Sequence, residues 1–275
     1  MNGDEREFLM TDADFSEVAS LAYQHTGIVL AEHKKDMVYG RIARRIRHHK
    51  LSSFRQYLDF FKSNTESELS DFINALTTNL TSFFREPHHF NFLQQHWLPK
   101  QKSISSSKRR LRIWSAGCSI GQEVYSIAMS LRAAGLPSGW DCKLLATDLD
   151  SNVLDTGRRG IYPDSAVAGL PSDILSRFFD RKTNSTVQVK PALQEMVFFK
   201  RLNLLEPWPM SGPFDVIFCR NVVIYFDKQT QRNLFDRYAD ILSTDGHLFI
   251  GHSENLHGIT QRFESLGQTI YRKIR

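Results

Sequence analysis

The segment LRIWSAGCSIGQE, residues 111–123, gives the strongest indication of the fold of this chain. Its first residues alternate, with apolar Leu111 and Ile113 on one side, as in a half-buried strand. A turn of small residues containing Gly117 and Gly121 follows, and a helical pattern begins directly after it. A strand, a glycine turn and a helix in this order bring bare backbone against a nucleotide-like ligand. The segment therefore predicts a βα unit with a ligand at its turn.

The glycine turn is weak evidence by itself, because its spacing is G-x-x-x-G and dinucleotide sites use G-x-G-x-x-G. A tight turn without any ligand explains it equally well. The next apolar strand, Lys143–Asp148, ends in an acid, where ribose hydroxyls are usually held. Glu123 either favours the helix dipole or binds a ribose hydroxyl or an ammonium group. The two βα units together favour a nucleoside cofactor.

From residue 111 onward, strands alternate with helices, which is the pattern of a parallel α/β sheet. The predicted strands are Arg112–Ala116, Lys143–Asp148, Val197–Leu202, Phe214–Cys219, Gly246–Gly251 and Gln268–Ile274. The predicted helices between them are Gln122–Ala134, Ser151–Arg158 and Lys228–Leu242. The crossover at 158–196 is too long for a simple helix, so we expect a small insertion with a β-hairpin there.

The N-terminal part, residues 1–98, predicts a helical domain, because glycine is nearly absent from 12–98 and apolar residues recur at helical spacing. One such set is Phe54, Tyr57, Leu58 and Phe61. Residues 99–110 are polar, rich in serine and without periodicity, and they predict a linker. The α/β domain is then expected at 111–275.

The composition bounds the class of protein. A chain of 275 residues with 41% hydrophobic residues can bury one large core or two smaller ones. The acidic, polar N-terminus is unlike a signal peptide, and no apolar run approaches the ~18 residues of a membrane span. The three cysteines form no CxxC pair, and the histidines show no metal-ligand spacing. We therefore expect a cytoplasmic protein without a metal.

A basic segment at 34–50 stands out against the modest net charge of +5. It contains seven basic residues and one acid, Asp36; the basic residues are Lys34, Lys35, Arg41, Arg44, Arg45, Arg47 and Lys50. On a helical wheel Arg41, Arg44 and Arg45 share one arc. A solvated face is the usual explanation, but the excess of one sign favours a docking surface for an anionic partner.

Two further segments place polar groups among apolar ones. Arg220 and Asn221 interrupt the run Phe214–Asp227, and burying either without a partner would cost about 1–3 kcal/mol. We therefore expect both at the carboxyl edge of the sheet, where α/β sheets bind ligands. Tyr225 either faces the same crevice or packs in the core.

Residues 79–86 interleave polar and aromatic side chains, as in a helix cap or a lid over the cofactor.

Four motifs in this order and spacing resemble the CheR family of chemotaxis receptor glutamate methyltransferases. They are TTNLTSFFRE (77–86), WSAGCSIGQEVYS (114–126), ATDLD (146–150) and FCRNVVIYFD (218–227). The similarity covers nearly the whole chain, including MVYGRIARRIR (37–47). The resemblance implies an all-α N-terminal domain followed by a Rossmann-like S-adenosylmethionine-dependent methyltransferase domain with an inserted antiparallel β-subdomain.

The resemblance also implies the site. S-adenosylmethionine is the methyl donor and S-adenosylhomocysteine the product, and Arg85 and Tyr225 are the catalytic residues nearest the transferred methyl group. The cofactor-binding residues implied are Asn79, Thr81, Arg85, Gly117, Glu123, Asp148, Asn203, Leu204, Arg220 and Asn221. The substrate is a set of glutamates on the cytoplasmic helical domain of chemoreceptors, at which Arg41, Arg44 and Arg45 dock. The β-subdomain is available for tethering to a receptor C-terminal peptide.

Other functions are weighed against this one. A nucleic-acid methyltransferase could use the basic helix to bind phosphates, but no N-P-P-[YF] motif follows the fourth strand. Cys219 could be imagined as a nucleophile that attacks a base, but its position predicts a buried strand residue. A nicotinamide-dependent reductase is disfavoured by the glycine spacing. A silent receptor-binding module stays open. We expect no nucleic-acid partner and no membrane insertion, with recruitment to membrane receptor arrays from the cytoplasm.

Overall fold

The computed structural model describes residues 6–104 and 110–274. Two compact units divide the chain. The first comprises the residues up to Thr78 together with Tyr225–Asp227, and the second comprises Asn79–Ile224 together with the residues from Lys228 onward.

The first unit is helical, as predicted. Its helices are α1 (Asp12–Thr26), α2 (Lys35–His48), α3 (Phe54–Ser63) and α4 (Thr65–Leu76), with a 3-10 turn at Glu32–Lys34. Thr11 begins α1 with a capping box to Asp14, and Gly27 ends it in the left-handed conformation. The four apolar residues predicted to share one face of α3 are all buried, at 1% exposure or less. The unit is held together by these helix faces.

The second unit begins with a short helical stretch and continues as an α/β sheet. The helical stretch comprises α5 (Pro87–Phe92), a π-helical turn (Leu93–Trp97) and α6 (Leu98–Ile104). The elements that follow are β1 (Arg110–Ala116), α7 (Gln122–Ala133), β2 (Asp141–Asp148), α8 (Ser151–Arg159), β3 (Ile161–Pro163), α9 (Asp164–Val167), α10 (Ser172–Phe178), β4 (Phe179–Thr183), β5 (Thr186–Val189), α11 (Pro191–Gln194), β6 (Val197–Arg201), β7 (Phe214–Cys219), a 3-10 turn (Val223–Tyr225), α12 (Lys228–Ile241), β8 (Leu242–Ile250), β9 (Phe263–Gly267) and β10 (Ile270–Lys273).

Seven strands form the main sheet, in the order β6-β2-β1-β7-β8-β10-β9. The strands from β6 to β8 pair in parallel, and β10 pairs antiparallel with both of its neighbours. The strand order reverses between β1 and β7, and the crevice outside such a switch point is where open α/β sheets bind ligands. The predicted Rossmann-like class is confirmed.

The crossover from β2 to β6 carries the expected insertion. Strands β3, β5 and β4 form a separate antiparallel sheet in that order. Tyr162, from β3, donates its hydroxyl to the carbonyl of Ile120 at 2.7 Å, and Tyr125 donates to the carbonyl of Gly157 at 2.8 Å. The insertion therefore packs against the glycine turn that follows β1.

The structure corrects several predicted boundaries. The compact units divide at Thr78 and Asn79 instead of near residue 98, because α5 and α6 pack with the sheet and residues 77–86 are not helical. Helix α6 continues to Ile104 within the expected linker, and residues 105–109 of that linker lie outside the described ranges.

The last predicted strand, Gln268–Ile274, corresponds to β10, but the strand that pairs with it in a hairpin, β9, was not predicted. Gln268 and Thr269 adopt positive φ values of 50° and 59° and form the turn between β9 and β10. Such two-residue turns usually contain glycine or asparagine, so the sequence gives little sign of this one. Across 6–104 and 110–274, none of the helices combines the length and the apolar character that a bilayer span requires.

Candidate active site

The glycine turn after β1 is held tightly by the end of β2. The N–H groups of Gly117 and Cys118 both donate to the carbonyl of Thr147, at 2.8 and 2.9 Å. Gly117 has a φ of +88°, and a Cβ atom there would lie 2.3 Å from a methyl group of Val222. Glycine is therefore required by conformation and by the close approach of the loop after β7.

Asp148, at the end of β2, organises two loops at once. One carboxylate oxygen accepts from the N–H of Ser119 at 2.8 Å and the other from the N–H of Asp150 at 3.0 Å. Burial raises the pKa of the Asp148 carboxyl. Asn79 donates its side-chain amide to Asp150 at 2.8 Å, and its carbonyl accepts from the Ser119 hydroxyl at 3.0 Å. The structure thus gathers Asn79, Asp148 and the glycine turn in one place.

Glu123 and Arg220 form a buried ion pair beneath the turn. Arg220 donates to Glu123 at 3.1 Å, and the Ser115 hydroxyl donates to the other Glu123 oxygen at 2.7 Å. Burial raises the pKa of Glu123, against the opposing charge of Arg220. Both carboxylate oxygens of Glu123 are therefore engaged by protein groups.

The segment that carries Arg85 has an unusual backbone. Phe84 and Glu86, on either side of Arg85, have φ values of 52° and 59°, which side chains of this size rarely adopt. The Phe84 N–H donates to the Ser126 hydroxyl at 2.9 Å, and Arg220 donates to the carbonyl of Arg85. Strain of this kind persists where the surroundings fix it, and it is common at functional sites.

The half-buried side chain of Arg85 donates to the carbonyl of Leu80 at 3.1 Å. Thr81 is half-buried in the same segment. The interpretation of residues 79–86 as a lid over the cofactor stays a prediction. The segment is not helical, and it runs from Asn79 at the β2 loop to Glu86, which precedes α5.

Two more sets of predicted residues follow neighbouring strands. Asn203 and Leu204 come after β6, where the Asn203 side chain accepts from the N–H of Leu205 at 3.0 Å. Asn221 comes after β7 with a φ of 58°, and its N–H donates to Glu254 at 3.0 Å. Parallel strands end at one edge of the sheet, so the loops after β6, β2, β1 and β7 share that edge.

Tyr225 is assigned to the other compact unit. Its carbonyl accepts from the N–H of Val29 at 2.9 Å, within the helical unit. Arg85 belongs to the sheet unit. Their convergence on one methyl group stays a prediction.

The three predicted docking arginines lie on α2 but differ in their contacts. Arg41 donates to the carbonyls of Leu76 and Thr77, at the C-terminal end of α4, at 2.6 and 2.7 Å. Arg45 is paired with the buried carboxylate of Glu68 at 2.6 Å. Arg44 is exposed, and it has no ion pair among the residues that the structure describes.

One acid and two histidines also gather at the start of α5. Ligand-type atoms of Glu86, His88 and His89 lie within 4.8 Å of one another. Glu86 is already paired with Arg220 at 3.3 Å, and Nε2 of each histidine lies within hydrogen-bond distance of the Gln268 carbonyl. We assign no ion to this cluster, and the absence of a metal stays a prediction. Cys219, meanwhile, is a buried thiol whose pKa burial raises, which disfavours it as a nucleophile.

Sequence reasoning missed three residues of this edge: Asp150, Glu86 and Glu254. Asp150 caps α8 by accepting from the N–H of Asn152 at 2.9 Å, and its signal was the second acid of ATDLD. Glu254 follows an apolar strand and a glycine, much as Asp148 ends β2. Glu86 has no comparable signal, since its partners come from distant parts of the chain.

The donors and acceptors at this edge fit a nucleoside with a charged tail. Asp148 presents a carboxylate beside a glycine turn, and the buried Oε1 of Gln122, next to that turn, has no hydrogen-bond partner among the described residues. The reversed strand order and these loops define a Rossmann-like methyltransferase. Sequence similarity to known proteins supports this class.

Residues 79–272 match the family model described as "CheR methyltransferase, SAM binding domain", and residues 13–77 match "CheR methyltransferase, all-alpha domain". The chain belongs to the CheR methyltransferase family. The matched domain confirms S-adenosylmethionine as the cofactor.

Three relatives illustrate the similarity. The "Chemotaxis protein methyltransferase" of Salmonella typhimurium is 46% identical over 95% of this chain and 90% of its own length. The protein of the same name from Escherichia coli is 45% identical over 95% of this chain and 91% of its own length. That of Borreliella burgdorferi is 37% identical over 99% of this chain and all of its own length.

Proposed function

We propose that this methyltransferase esterifies glutamate side chains of chemoreceptors, the methyl-accepting chemotaxis proteins, as part of chemotactic adaptation. The observation that carries the proposal is the similarity to chemotaxis protein methyltransferases along 95% of the chain. The cluster of predicted cofactor residues at the carboxyl edge of the sheet supports it.

The proposed methyl transfer does not depend on proton transfer by the protein. When bound, S-adenosylmethionine supplies an electrophilic methyl group on a sulfonium, and its loss to a carboxylate leaves S-adenosylhomocysteine. A glutamate carboxyl with an ordinary pKa near ~4.3 is ionised at neutral pH, so the reaction requires no general base. The protein must place the carboxylate in line and exclude water, effects worth about 7–11 kcal/mol together.

The residues divide this work. Asp148 would hold the ribose hydroxyls, with the loops of Asn79, Thr81, Gly117 and Asn203 around the nucleoside. Arg85 and Tyr225 would orient the incoming carboxylate or the methyl donor. A tight pair between Arg85 and the substrate carboxylate would blunt the nucleophile, so Arg85 positions the reactants and does not activate them.

Glu123 and Arg220 would contribute differently. Because their side chains are engaged with each other, they would shape the loops around the cofactor. The backbone of Arg220, like that of Leu204 in the loop after β6, would then contact the cofactor.

Docking would use two surfaces. The basic residues of α2 (Arg41, Arg44 and Arg45 with their neighbours) would face the acidic methylation region of the receptor helices. In the β-subdomain, β4 is an edge strand, and an extended receptor C-terminal peptide could add to it by backbone hydrogen bonds. Such an enzyme would work in the cytoplasm and be recruited to receptor arrays.

The decisive experiment is transfer of a labelled methyl group to purified receptor cytoplasmic fragments. We expect labelling that alkali releases as methanol, the behaviour of a carboxyl ester. Receptor fragments with the acceptor glutamates changed to alanine are the matched control and should stay unlabelled. Label on RNA, or alkali-stable label on receptors, would contradict the proposal.

A further inference from the structure

One buried carboxylate in the sheet unit has no role in the chemistry described so far. Glu254 is 5% exposed and lies in the loop after β8, four residues beyond Ile250. Strand β8 pairs in parallel with β7, so this loop lies beside the one that carries Asn221.

The hydrogen bonds of the Glu254 carboxylate come from backbone N–H groups. One oxygen accepts from Val222, Val223 and Ile224 at 3.0, 3.0 and 3.3 Å. The other accepts from Asn221 at 3.0 Å and from Gly251 at 2.6 Å. Five N–H donors thus converge on one carboxylate, as they do around an anion bound in a backbone nest.

The carboxylate fixes an unfavourable conformation. Asn221 has a φ of 58°, in the left-handed region. A Cβ atom on Gly251 would lie 2.9 Å from the Asn221 nitrogen and 2.5 Å from its side-chain nitrogen, so the two loops touch with no space for a side chain at Gly251. The approach of these loops and the turn at Asn221 both depend on an acceptor placed between them.

From these contacts we infer that Glu254 is a positioning residue for the methyl donor, acting through Asn221. Its carboxylate binds the N–H groups of residues 221–224 and so holds Asn221 where it meets the cofactor. The inference rests on the proposed cofactor role of Asn221 but not on the identity of the methyl acceptor.

Binding of S-adenosylhomocysteine to the 275-residue chain, measured by calorimetry, tests this inference. In Glu254→Gln the amide keeps the shape but offers one acceptor oxygen and turns an NH2 group toward N–H donors. We expect its dissociation constant to rise about tenfold, within the range of interaction energies measured between groups in contact. Glu254→Asp keeps the charge but has a shorter side chain. Its dissociation constant should lie between those of Glu254→Gln and the unchanged chain.

Two comparisons separate positioning from general destabilisation. Leu248→Ala removes a buried side chain of β8 that takes no part in the hydrogen bonds of Glu254, and it should lower the unfolding midpoint while affinity stays within about twofold. Asn221→Ala should weaken binding by removing the side-chain amide, and adding Glu254→Gln should weaken it little further, because Glu254 acts on the methyl donor through Asn221.

The inference is overturned if Glu254→Gln binds no worse than Leu248→Ala, or if its effect adds in full to that of Asn221→Ala. Should Glu254→Gln fail to fold, the same comparisons apply to Glu254→Asp. A chain that shows the expected affinity pattern but does not methylate receptor glutamate contradicts the proposed function and supports the role of Glu254.

Discussion

The guanidinium of Arg220 donates to the carboxylate of Glu123 at 3.1 Å, and it joins the end of β7 to the first turn of α7. The Arg220 side chain is 2% exposed and that of Glu123 is 10% exposed. The same guanidinium lies 3.3 Å from Glu86 and also contacts the carbonyl of Arg85. One buried cation therefore compensates two carboxylates and anchors the backbone of a predicted catalytic residue.

Removing that cation should destabilise the sheet unit. Arg220→Met leaves Glu123 and Glu86 buried without their partner, and such a break costs about 3–5 kcal/mol. Urea unfolding followed by tryptophan fluorescence measures the loss. All four tryptophans lie between residues 97 and 208, so the signal reports on the sheet unit.

A double variant distinguishes pairing from mere packing. If charge compensation is the cause, Arg220→Met with Glu123→Gln should regain at least about 1 kcal/mol relative to the sum of the single changes. Simple addition of the two losses would contradict this explanation.

Asp148→Asn should weaken binding of S-adenosylmethionine by about tenfold or more, a loss of at least ~1.4 kcal/mol. The carboxylate is expected to accept from ribose hydroxyls while it holds the N–H groups of Ser119 and Asp150, and an amide cannot do both. Calorimetric titration with S-adenosylmethionine measures the dissociation constant. Asp141→Asn, an exposed acid at the other end of β2, is the control and should bind normally.

Arg85→Ala should lower turnover about a hundredfold without moving the pH optimum, because Arg85 positions reactants and transfers no proton. Labelled-methyl assays at saturating donor, run from pH 6 to 9, provide the measurement. Arg85→Lys keeps the charge but loses the planar fork and should recover only part of the rate. Unchanged kinetics in Arg85→Ala would remove this residue from the site.

Two arginines of α2 should have different roles, Arg45 in stability and Arg44 in docking to the receptor. Arg45→Ala leaves buried Glu68 without its cation and should destabilise the helical unit by about 3 kcal/mol, visible as faster amide hydrogen exchange within residues 6–78. Arg44→Ala should change stability by less than about 0.5 kcal/mol yet lower the receptor methylation rate and its sensitivity to salt. The docking surface would be refuted for Arg44 if rate and salt dependence stayed the same.

Acid should destabilise the sheet unit through two buried histidines. Burial, with the nearby charge of Arg220, lowers the pKa of His89 to about 3, and burial with the charge of Lys100 lowers that of His247 to about 4. In the unfolded chain both take up a proton as the pH falls through ~6.5, while in the folded chain both stay neutral. Stability is therefore lost as the pH falls from about 6.5 toward 4, by about 2 kcal/mol per histidine at pH 5.

Urea midpoints at pH 7 and pH 5 test this dependence. His247→Gln should reduce the loss between these two pH values by about 2 kcal/mol. The matched control is His257→Gln, at an exposed position, which should leave the loss unchanged. A pH dependence that stays full in His247→Gln would contradict neutral burial of this histidine.

Much of the fold followed from local patterns. Strands β1, β2, β6 and β7 lie within two residues of their predicted ends, because buried strands read as apolar runs that end at glycine or a polar residue. The hairpin at Gln268 and Thr269 was missed, since its turn uses residues that rarely adopt a positive φ. The first unit ends earlier than predicted, because packing and not helical periodicity decides to which core α5 and α6 belong.

Local sequence patterns were sufficient for most of the elements, for their order and for the polar residues that end strands, since periodicity and turn chemistry act over a few neighbouring residues. Which of those groups pair with one another became visible in the folded chain alone, because packing brings distant residues together. The tertiary structure paired Arg220 with Glu123, Arg45 with Glu68, and Glu254 with five backbone donors. The two ion pairs join residues 97 and 23 positions apart, and burial away from water makes each partner necessary to the other.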